Sequence, residues 1–326
     1  MRHRPFRISL LLFVAIVLAV LGSASQALAN HGPGASGGGS ATISGETLKQ
    51  GSYELTLRED FAAFQPFNSA QAAERARRGG DFDSLNHGFI TSVDVAYGIA
   101  PDFQIGATTG YFVGRDFKSA SLQPDGSVEE SKANPTGLTD LLLTGKYRVL
   151  KGAPGNLSIV AGVKIPTGRG DVHLSNFEKL SPTDQPGTGA WDFPVGLAYS
   201  RFLTSRLTVD ASVLYTFRTR RNSFKVGDRI DAGVALAYRL TDKIKDFPQF
   251  SVFAEANDVY LMKDTDHHEK DANSGSNTVY LTSGGRIRFN KNVGLTVAPS
   301  FPVYQVDYGD QGKVRFKMAV SLSFSN

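Results

Sequence analysis

The chain has 326 residues, of which 41% are hydrophobic and 10% aromatic, with no cysteine and a formal net charge of +4. Zero cysteine excludes a disulfide scaffold, a thiolate metal site and a lipid-modified N-terminal cysteine. Three of the basic residues, Arg2, Arg4 and Arg7, precede the first acidic residue, Glu46. The rest of the chain is therefore nearly neutral, which gives no electrostatic reason to expect a nucleic-acid partner.

The N-terminus has the pattern of an export signal. After its basic start comes an apolar run from Ile8 to Leu21, and then Ala27-Leu28-Ala29, a small-x-small cleavage pattern. The apolar run is shorter than the roughly 20 residues that a membrane-spanning helix needs. We therefore predict a cleaved signal peptide over residues 1–29, a flexible Gly-rich lead-in over residues 30–50 and a single domain over residues 51–326.

The domain shows alternation of apolar and polar residues at period two, which is typical of strands with one apolar face. It is clearest from Leu207 to Phe217, from Ile230 to Leu240 and from Val314 to Phe324. Twelve such segments are predicted, the other nine being Tyr53 to Phe64, Phe89 to Tyr97, Phe103 to Val113, Leu138 to Val149, Leu157 to Ile165, Trp191 to Phe202, Phe250 to Met262, Val279 to Phe289 and Val293 to Tyr304.

The lengths of these segments favour a membrane barrel over a soluble sandwich. Soluble strands usually have about five or six residues, whereas a tilted membrane-spanning strand needs about 9 to 11. Connectors alternate between short turns and long loops, so both ends of the domain fall on the short-turn side. We predict an all-β fold, a closed antiparallel transmembrane β-barrel of about 12 strands with short periplasmic turns and long extracellular loops, in which the last strand pairs with the first.

Aromatic residues near the segment ends predict girdles of lipid-facing rings at the two membrane interfaces. Tyr280 is expected in the outer girdle, which lies on the side of the long loops. The residues that alternate with the lipid-facing ones on each strand should point into the barrel, and they include charges of both signs. Such charges either line a water-filled path or pair as a structural network. The lumen and selectivity candidates are Asp94, Lys146, Arg148, Lys164, Asp192, Asp210, Arg218, Asp231, Arg239, Glu255, Arg286, Arg288, Arg315 and Lys317.

Prolines inside strands remove a ladder hydrogen bond. Pro194, Pro299 and Pro302 all fall in the outer half of predicted strands, where they mark either ordinary bulges or a gate in the wall.

The histidines argue against an enzyme that acts on lipids, because none falls on a predicted strand face that could hold a rigid catalytic group. His87 with Asp83 and Ser84 is the best trio. The loop residues Asp266, His267, His268 and Glu269 are weak metal candidates, as is His31, and a solvated loop explains them as well. No cofactor is expected.

Several phrases resemble the outer-membrane barrels named for the MetA pathway of phenol degradation. They are AGVKIPTGR at 161–169, GTGAWD at 187–192 and GLAYSR at 196–201, with Tyr97-Gly98-Ile99, Gly227-Asp228-Arg229 and Asn273-Ser274-Gly275 in support. The resemblance covers nearly all of residues 30–326. It implies an outer-membrane barrel that moves small, including aromatic, compounds. Such barrels commonly end on an aromatic residue read by the assembly machinery, whereas here Phe324 is followed by two further residues.

We therefore expect an outer-membrane channel or transporter of a Gram-negative cell that is not an enzyme. Its expected partners are outer-membrane lipid, a small organic solute and the barrel-assembly machinery during biogenesis. The alternative is a non-conducting barrel that acts as a surface-binding or envelope-structural protein through its loops. An ion-paired, plugged lumen would favour the alternative, and a continuous polar path would favour the channel.

Overall fold

A computed structural model describes residues 39–79, 81–242 and 246–326; the predicted signal peptide and His31 lie outside these ranges. The described residues form one helix, α1 (Ser69–Gly79), and eighteen strands. The strands are β1 (Tyr53–Phe64), β2 (Asp81–Ser84), β3 (His87–Ala100), β4 (Phe103–Arg115), β5 (Phe117–Leu122), β6 (Val128–Ala133), β7 (Thr136–Leu138), β8 (Leu141–Leu150), β9 (Asn156–Ile165), β10 (Asp192–Phe202), β11 (Leu207–Arg218), β12 (Arg229–Arg239), β13 (Gln249–Leu261), β14 (Thr265–Asp266), β15 (Glu269–Lys270), β16 (Ser276–Arg288), β17 (Val293–Asp307) and β18 (Val314–Ser325).

Twelve long strands close into one antiparallel barrel, in the order β1, β3, β4, β8 to β13, β16, β17 and β18. The last strand pairs with the first, with Leu55 opposite Phe324 and Phe61 opposite Met318, so the predicted closure is confirmed. The short strand β7 pairs with β4 beyond the end of β8. Closure gives each of the twelve strands a partner on both sides, as a barrel in hydrocarbon requires.

The two faces of the strands follow the predicted alternation. On β1, Leu57 is 43% exposed on the outside, whereas on β13 the inward carboxylate of Glu255 is only 3% exposed. Tyr280, expected in the outer girdle, instead faces inward and is 7% exposed, because it shares the parity of the inward residue Thr282 on β16. No helix within the described residues is long and apolar enough to cross a membrane.

The first two long loops fold into a small cap on the extracellular side. Strands β2, β5 and β6 form a three-stranded sheet, on which α1 packs through Ala72 and Ala76. Helix α1 begins with reciprocal bonds between Asn68 and Gln71, in which each side chain accepts from the other's backbone amide. These loops therefore contain regular structure that the alternation pattern did not predict.

Arg75 contacts both aromatic residues of the cap and connects the cap to the last loop. Its guanidinium lies 4.5 Å from the ring centre of Phe67 and 4.9 Å from that of Phe82, and it pairs with Asp310. Cation–π contacts of this kind add to the burial of the two rings. The cap is thus held against residues 308–313, which connect β17 to β18.

Candidate functional site: the barrel lumen

The N-terminal residues 39–48 lie inside the barrel. Leu48 donates its amide to Gln104 near the short-turn rim, and residues further toward the N-terminus contact wall positions progressively closer to mid-barrel. Gly39 and Ser40 approach Glu255 at the middle of β13. The segment that we expected to be a flexible lead-in therefore has its C-terminal part seated on the inner wall.

Glu255 is the central contact of this segment. Its carboxylate accepts the backbone amides of Ser40 at 2.8 Å, Ala41 at 3.1 Å and Thr42 at 2.5 Å, and the Thr42 hydroxyl at 2.6 Å. Successive amides that converge on one carboxylate form an anion-binding nest, and charge-assisted hydrogen bonds of this type are the stronger ones. The mid-barrel end of the segment is held by this single side chain more than by any other described contact.

Small polar residues hold the segment nearer the short turns. The Ser44 and Ser200 hydroxyls lie 2.8 Å apart, Ser158 donates to the Gly45 carbonyl at 2.6 Å, and Lys146 donates to the Ser44 carbonyl at 3.1 Å. A Cβ at Gly45 would lie 2.3 Å from the carbonyl oxygen of Asn156, so only glycine fits there.

Two arginines also contact the segment through carbonyl groups. Arg58 donates to the Ser40 carbonyl at 2.8 Å and Arg286 to the Gly39 carbonyl at 3.3 Å. Of the lumen candidates, Lys146, Glu255 and Arg286 therefore bind the N-terminal segment rather than only face it.

A second group of candidates forms a charge cluster toward the extracellular end. Lys164 on β9 lies 2.8 Å from a carboxylate oxygen of Asp140 and 2.9 Å from one of Asp192, and Arg218 is 3.6 Å from Asp192. Asp140 also accepts the amides of Gly168 and Thr188, which belong to the loop after β9. Lys164, Asp192 and Arg218 thus act as one network that fixes this loop to the wall.

The other inward candidates have separate partners. Asp94 accepts from the Thr108 hydroxyl, Asp210 accepts from the Ser200 hydroxyl, Asp231 pairs with Arg229, and the Lys317 ammonium lies 4.2 Å from the ring centre of Tyr280. Arg148, Arg239 and Arg288 lie at the short-turn end, where they bond to Asp102, the Ser205 carbonyl and the Lys291 carbonyl. Arg315 is exposed at an irregularity between β18 and β1.

A cavity of about 1450 Å³ fills the extracellular part of the lumen. It extends from loop residues such as Asp184, Asp264 and Gln311 to the wall at Arg58 and Glu255, and Ser40 and Ala41 are part of its lining. Its volume exceeds the usual range of about 300–1,000 Å³ for small-molecule pockets. The cavity has room for a small organic solute, and the N-terminal segment lies between it and the short-turn end.

Three loop carboxyls beside the cavity have raised pKa values. Burial, with the nearby charges of Asp83 and Asp264, raises the pKa of Asp184 to about 8. Burial also raises the pKa of Asp83 and of Asp264 above its usual value. The cavity mouth therefore carries less negative charge at neutral pH than its composition indicates.

The weak metal and catalytic candidates do not assemble. Asp266, His267, His268 and Glu269 form the exposed end of the β14–β15 hairpin, with His267 and His268 as its two-residue turn. Within residues 39–79, 81–242 and 246–326, no group of three or more metal-ligating side chains is placed to hold an ion. The His87 ring stacks on Phe61, while Asp83 bonds to Ser119, so the proposed trio with Ser84 is not joined.

The three prolines differ in their surroundings. Pro194 pairs with Thr216 on β11, and the pairing of β10 with β9 resumes on both sides of it. Pro299 stays in the ladder opposite Met318. Pro302 lies at a register shift between β17 and β16, beyond the point at which β17 stops pairing with β18.

The sequence analysis did not predict that residues 39–48 contact the inner wall of the barrel. Gly-Ser-Thr composition resembles that of a linker, and its partners Ser158, Ser200, Ser212 and Glu255 are spread over four strands. The one available signal is the set of small polar residues at inward positions near the short turns.

A solved outer membrane channel shares this fold. The COG4313 outer membrane channel from Pseudomonas putida F1 aligns with a TM-score of 0.57 at 12% identity, covering 86% of this chain and 97% of that one. The translocator domain of the autotransporter NalP from Neisseria meningitidis gives 0.48 at 12% identity, covering 85% and 89%. A TodX deltaS2S3 mutant monoaromatic hydrocarbon channel gives 0.44 at 12%, covering 86% and 91%.

No curated protein matches the sequence. A family model does match, over residues 100–305, which is more than half of the chain. That span includes the three phrases at 161–169, 187–192 and 196–201 on which the resemblance rested. The chain belongs to the family described as "Putative MetA-pathway of phenol degradation" (Phenol_MetA_deg).

Proposed function

We propose that this protein is an outer-membrane channel for small organic solutes, including aromatic ones. The observation that carries the proposal is the cavity of about 1450 Å³ inside a closed, charge-lined barrel. Family membership and the similarity to a solved outer membrane channel support it.

The N-terminal segment sets how far the lumen is open. Residues 39–48 occupy the route from the cavity to the short-turn end and are held by hydrogen bonds, not by covalent links. Displacing them breaks contacts to Glu255 and Ser200 while leaving the strand ladder intact. We infer that the closed and open states of the channel differ mainly in the position of this segment.

The inward charges set ion selectivity in this proposal. Arg286 and Arg288 lie on one inward stretch of β16, near the short-turn end. A positive constriction there favours anions in the conducting state. Most of the remaining lumen candidates are held by the ion pairs, hydrogen bonds and ring contact described above.

Single-channel recording in planar bilayers tests the proposal. We would compare the mature protein, a deletion of residues 39–48 and an Arg286→Glu/Arg288→Glu variant. We expect stepwise conductance from the mature protein. The deletion variant should show larger and longer-lived openings, and the ion selectivity of the charge-reversed variant should shift toward cations. If a demonstrably inserted deletion variant is silent, the channel is excluded, and the alternative of a surface-binding or envelope-structural barrel replaces it.

Biogenesis requires the barrel-assembly machinery as a partner. Phe324 faces outward near the end of β18 and pairs with Leu55 on β1. We expect the machinery to read Phe324 although Ser325 and Asn326 follow it.

A further inference from the structure

Lys317 on β18 lies in the wall of the cavity without a bound carboxylate. Its side chain is part of the cavity lining, and its ammonium lies 4.2 Å from the ring centre of Tyr280 on β16. Within the described residues, Lys317 has no salt bridge and no hydrogen bond. A ring face holds an ammonium by its charge and leaves N–H groups that can still donate. The Lys317 ammonium is therefore placed to bind an anion inside the cavity.

The charged neighbours of Lys317 are already paired with one another. Asp60, Asp231 and Arg229 interact with it electrostatically. Arg58 donates to both carboxylate oxygens of Asp60, at 2.7 and 2.8 Å. Arg229 donates to both oxygens of Asp231, at 2.7 and 2.6 Å. Because each of these pairs is neutral, the ammonium gives this part of the wall a net positive charge.

The inner wall beside Lys317 carries very small side chains. Lys317 is the register partner of Ala62 on β1, and Ala62 is the register partner of Gly88 on β3. Adjacent strands are about 4.8 Å apart, so Gly88 lies roughly 10 Å from Lys317 along the wall. We call the inner surface over Ala62 and Gly88 the trough.

Apolar side chains close the far end of the trough. A Cβ added at Gly88 would lie 3.3 Å from the Phe112 ring and 3.7 Å from the Leu85 side chain. At Gly114, the register partner of Gly88 on β4, a Cβ would lie 2.7 Å from the Pro135 ring. Phe112, Leu85 and Pro135 all line the cavity. The trough thus has a cation at one end and an apolar surface with an aromatic ring at the other.

This arrangement fits a ligand that has one carboxylate and one aromatic ring. The carboxylate would accept charge-assisted hydrogen bonds from the Lys317 ammonium, and the ring would pack against Phe112. The separation of roughly 10 Å between Lys317 and Gly88 suits a single ring. A neutral aromatic molecule would leave the ammonium without a partner, whereas a small aliphatic carboxylate would leave the apolar end uncovered.

The mouth of the cavity opposes an anion less than its acidic composition indicates. Burial raises the pKa of Asp184 to about 8, and burial also holds the pKa of Asp264 above its usual value. Asp310 is paired with Arg75. Carboxyl groups that are protonated or paired repel an incoming carboxylate only weakly.

We propose that Lys317, the trough and Phe112 form a binding subsite of the lumen for monoaromatic carboxylates. The inference rests on the proposed channel function and names a solute class for it. The carboxylate binds the Lys317 ammonium, and the ring lies over Ala62 and Gly88 against Phe112. A solute held there lies in the cavity that Ser40 and Ala41 also line, ahead of the route to the short-turn end.

Fluorine NMR of para-fluorobenzoate with the folded, mature barrel in detergent tests the subsite. Line broadening by the protein, and its reversal by excess benzoate, give an affinity that does not depend on conductance. Two analogues separate the parts of the ligand. In para-fluorobenzamide the shape is nearly the same and the charge is absent, and in fluoroacetate the carboxylate is present and the ring is absent.

Four variants separate the parts of the protein. Lys317→Met removes the charge and keeps an apolar stem, and Lys317→Arg keeps the charge. Ala62→Leu fills the trough and leaves the ammonium in place. Lys313→Met is the matched control, because it is the same substitution at an exposed lysine in the loop before β18. Heat-modifiable migration on gels shows that each barrel is folded.

We expect the unmodified protein to bind para-fluorobenzoate more tightly than either analogue. Lys317→Met should weaken para-fluorobenzoate binding at least about tenfold, because hydrogen bonds between charged groups are lost. It should not change the binding of para-fluorobenzamide. Ala62→Leu should weaken both ring compounds and spare fluoroacetate. Lys317→Arg and Lys313→Met should bind para-fluorobenzoate as the unmodified protein does.

The subsite is refuted if Lys317→Met binds para-fluorobenzoate as tightly as Lys313→Met does, or if Ala62→Leu has no effect. Equal affinity of the unmodified protein for para-fluorobenzamide and para-fluorobenzoate would refute it as well. Conductance in planar bilayers tests the channel separately. A barrel that conducts without these differences in binding refutes the subsite alone. A barrel that shows them but stays silent after deletion of residues 39–48 refutes the channel and supports the subsite as a ligand site of the alternative, non-conducting barrel.

Discussion

Thr42 is bound to Glu255 through both its backbone amide, at 2.5 Å, and its hydroxyl, at 2.6 Å. The two residues are 213 positions apart in the sequence. Their contact joins the N-terminal segment to the middle of the barrel wall, in a site that excludes most solvent. The position of the segment in the lumen depends on it.

Glu255→Gln should release residues 39–48 from mid-barrel. An amide in place of the carboxylate removes the charge and presents N–H groups to the amides of Ser40 and Thr42, and each hydrogen bond to a charged group contributes about 1.5–3 kcal/mol. We expect higher single-channel conductance and faster proteolysis of the segment.

Asp94→Asn is the matched control for this change. Asp94 is an inward carboxylate that bonds to Thr108 on the wall and not to the segment. Its conductance should stay close to that of the unmodified channel. Equal conductance in Glu255→Gln and the unmodified protein would show that this contact does not close the lumen.

Lys164→Met should destabilise the barrel by about 3 kcal/mol, because it leaves the buried carboxylates of Asp140 and Asp192 without their shared cation. Unfolding in detergent, followed by the loss of heat-resistant migration on gels, measures this. The triple variant Lys164→Met/Asp140→Asn/Asp192→Asn should recover most of the loss. Lys132→Met, whose side chain is 65% exposed, should change little. A Lys164→Met barrel as stable as the unmodified one would contradict the charge network.

The packing of the extracellular loops should weaken as pH rises. Burial, then Asp83 and Asp264, raise the pKa of Asp184 from 3.8 to about 8, so the folded loop binds a proton more tightly than the unfolded loop does. The stabilisation that Asp184 contributes to the folded loop is complete below about pH 4 and is lost as the pH rises toward about 8. Hydrogen exchange of residues 181–186, corrected for intrinsic rates, should show less protection at pH 8.5 than at pH 5.5.

Asp184→Asn should remove most of this pH dependence, because the amide stays neutral throughout. Asp171→Asn is the control, since Arg169 holds the pKa of the fully exposed Asp171 below its usual value and that group does not titrate in this range. Equal protection of the unmodified loop at both pH values would contradict the prediction.

Glu59→Leu should stabilise the barrel in membranes by about 1 kcal/mol, since a carboxyl on the lipid-facing side is costly. Glu59 shares the outward parity of Leu57 on β1, and its carboxylate accepts from the Thr91 hydroxyl on β3. Urea unfolding in lipid vesicles measures the effect. Glu54→Leu, on the inward face of the same strand, should destabilise instead. A destabilised Glu59→Leu barrel would contradict the prediction and show that the hydrogen bond with Thr91 outweighs the cost of the outward carboxyl.

The strands and their faces could be predicted because the signal is local. Residues such as Val209, Ala211 and Val213 alternate with polar neighbours whatever the rest of the chain does, and the alternation places Asp210 and Glu255 inside. Closure followed from the physics of the bilayer, which leaves no sheet edge unpaired. The cap around Phe67 and Phe82 could not be predicted in this way, because its short elements are stabilised by contacts with one another and with the last loop, and not by a local pattern.

The sequence by itself determined the barrel, its strand number, the sides of its connectors and the inward charges, since each depends on period-two patterning and segment length. Only the tertiary structure decided that residues 39–48 occupy the lumen, that Lys164 joins Asp140 to Asp192, and that β17 and β18 separate beyond Ser300. These features depend on contacts between residues far apart in sequence, whose energies come from geometry that no local pattern encodes.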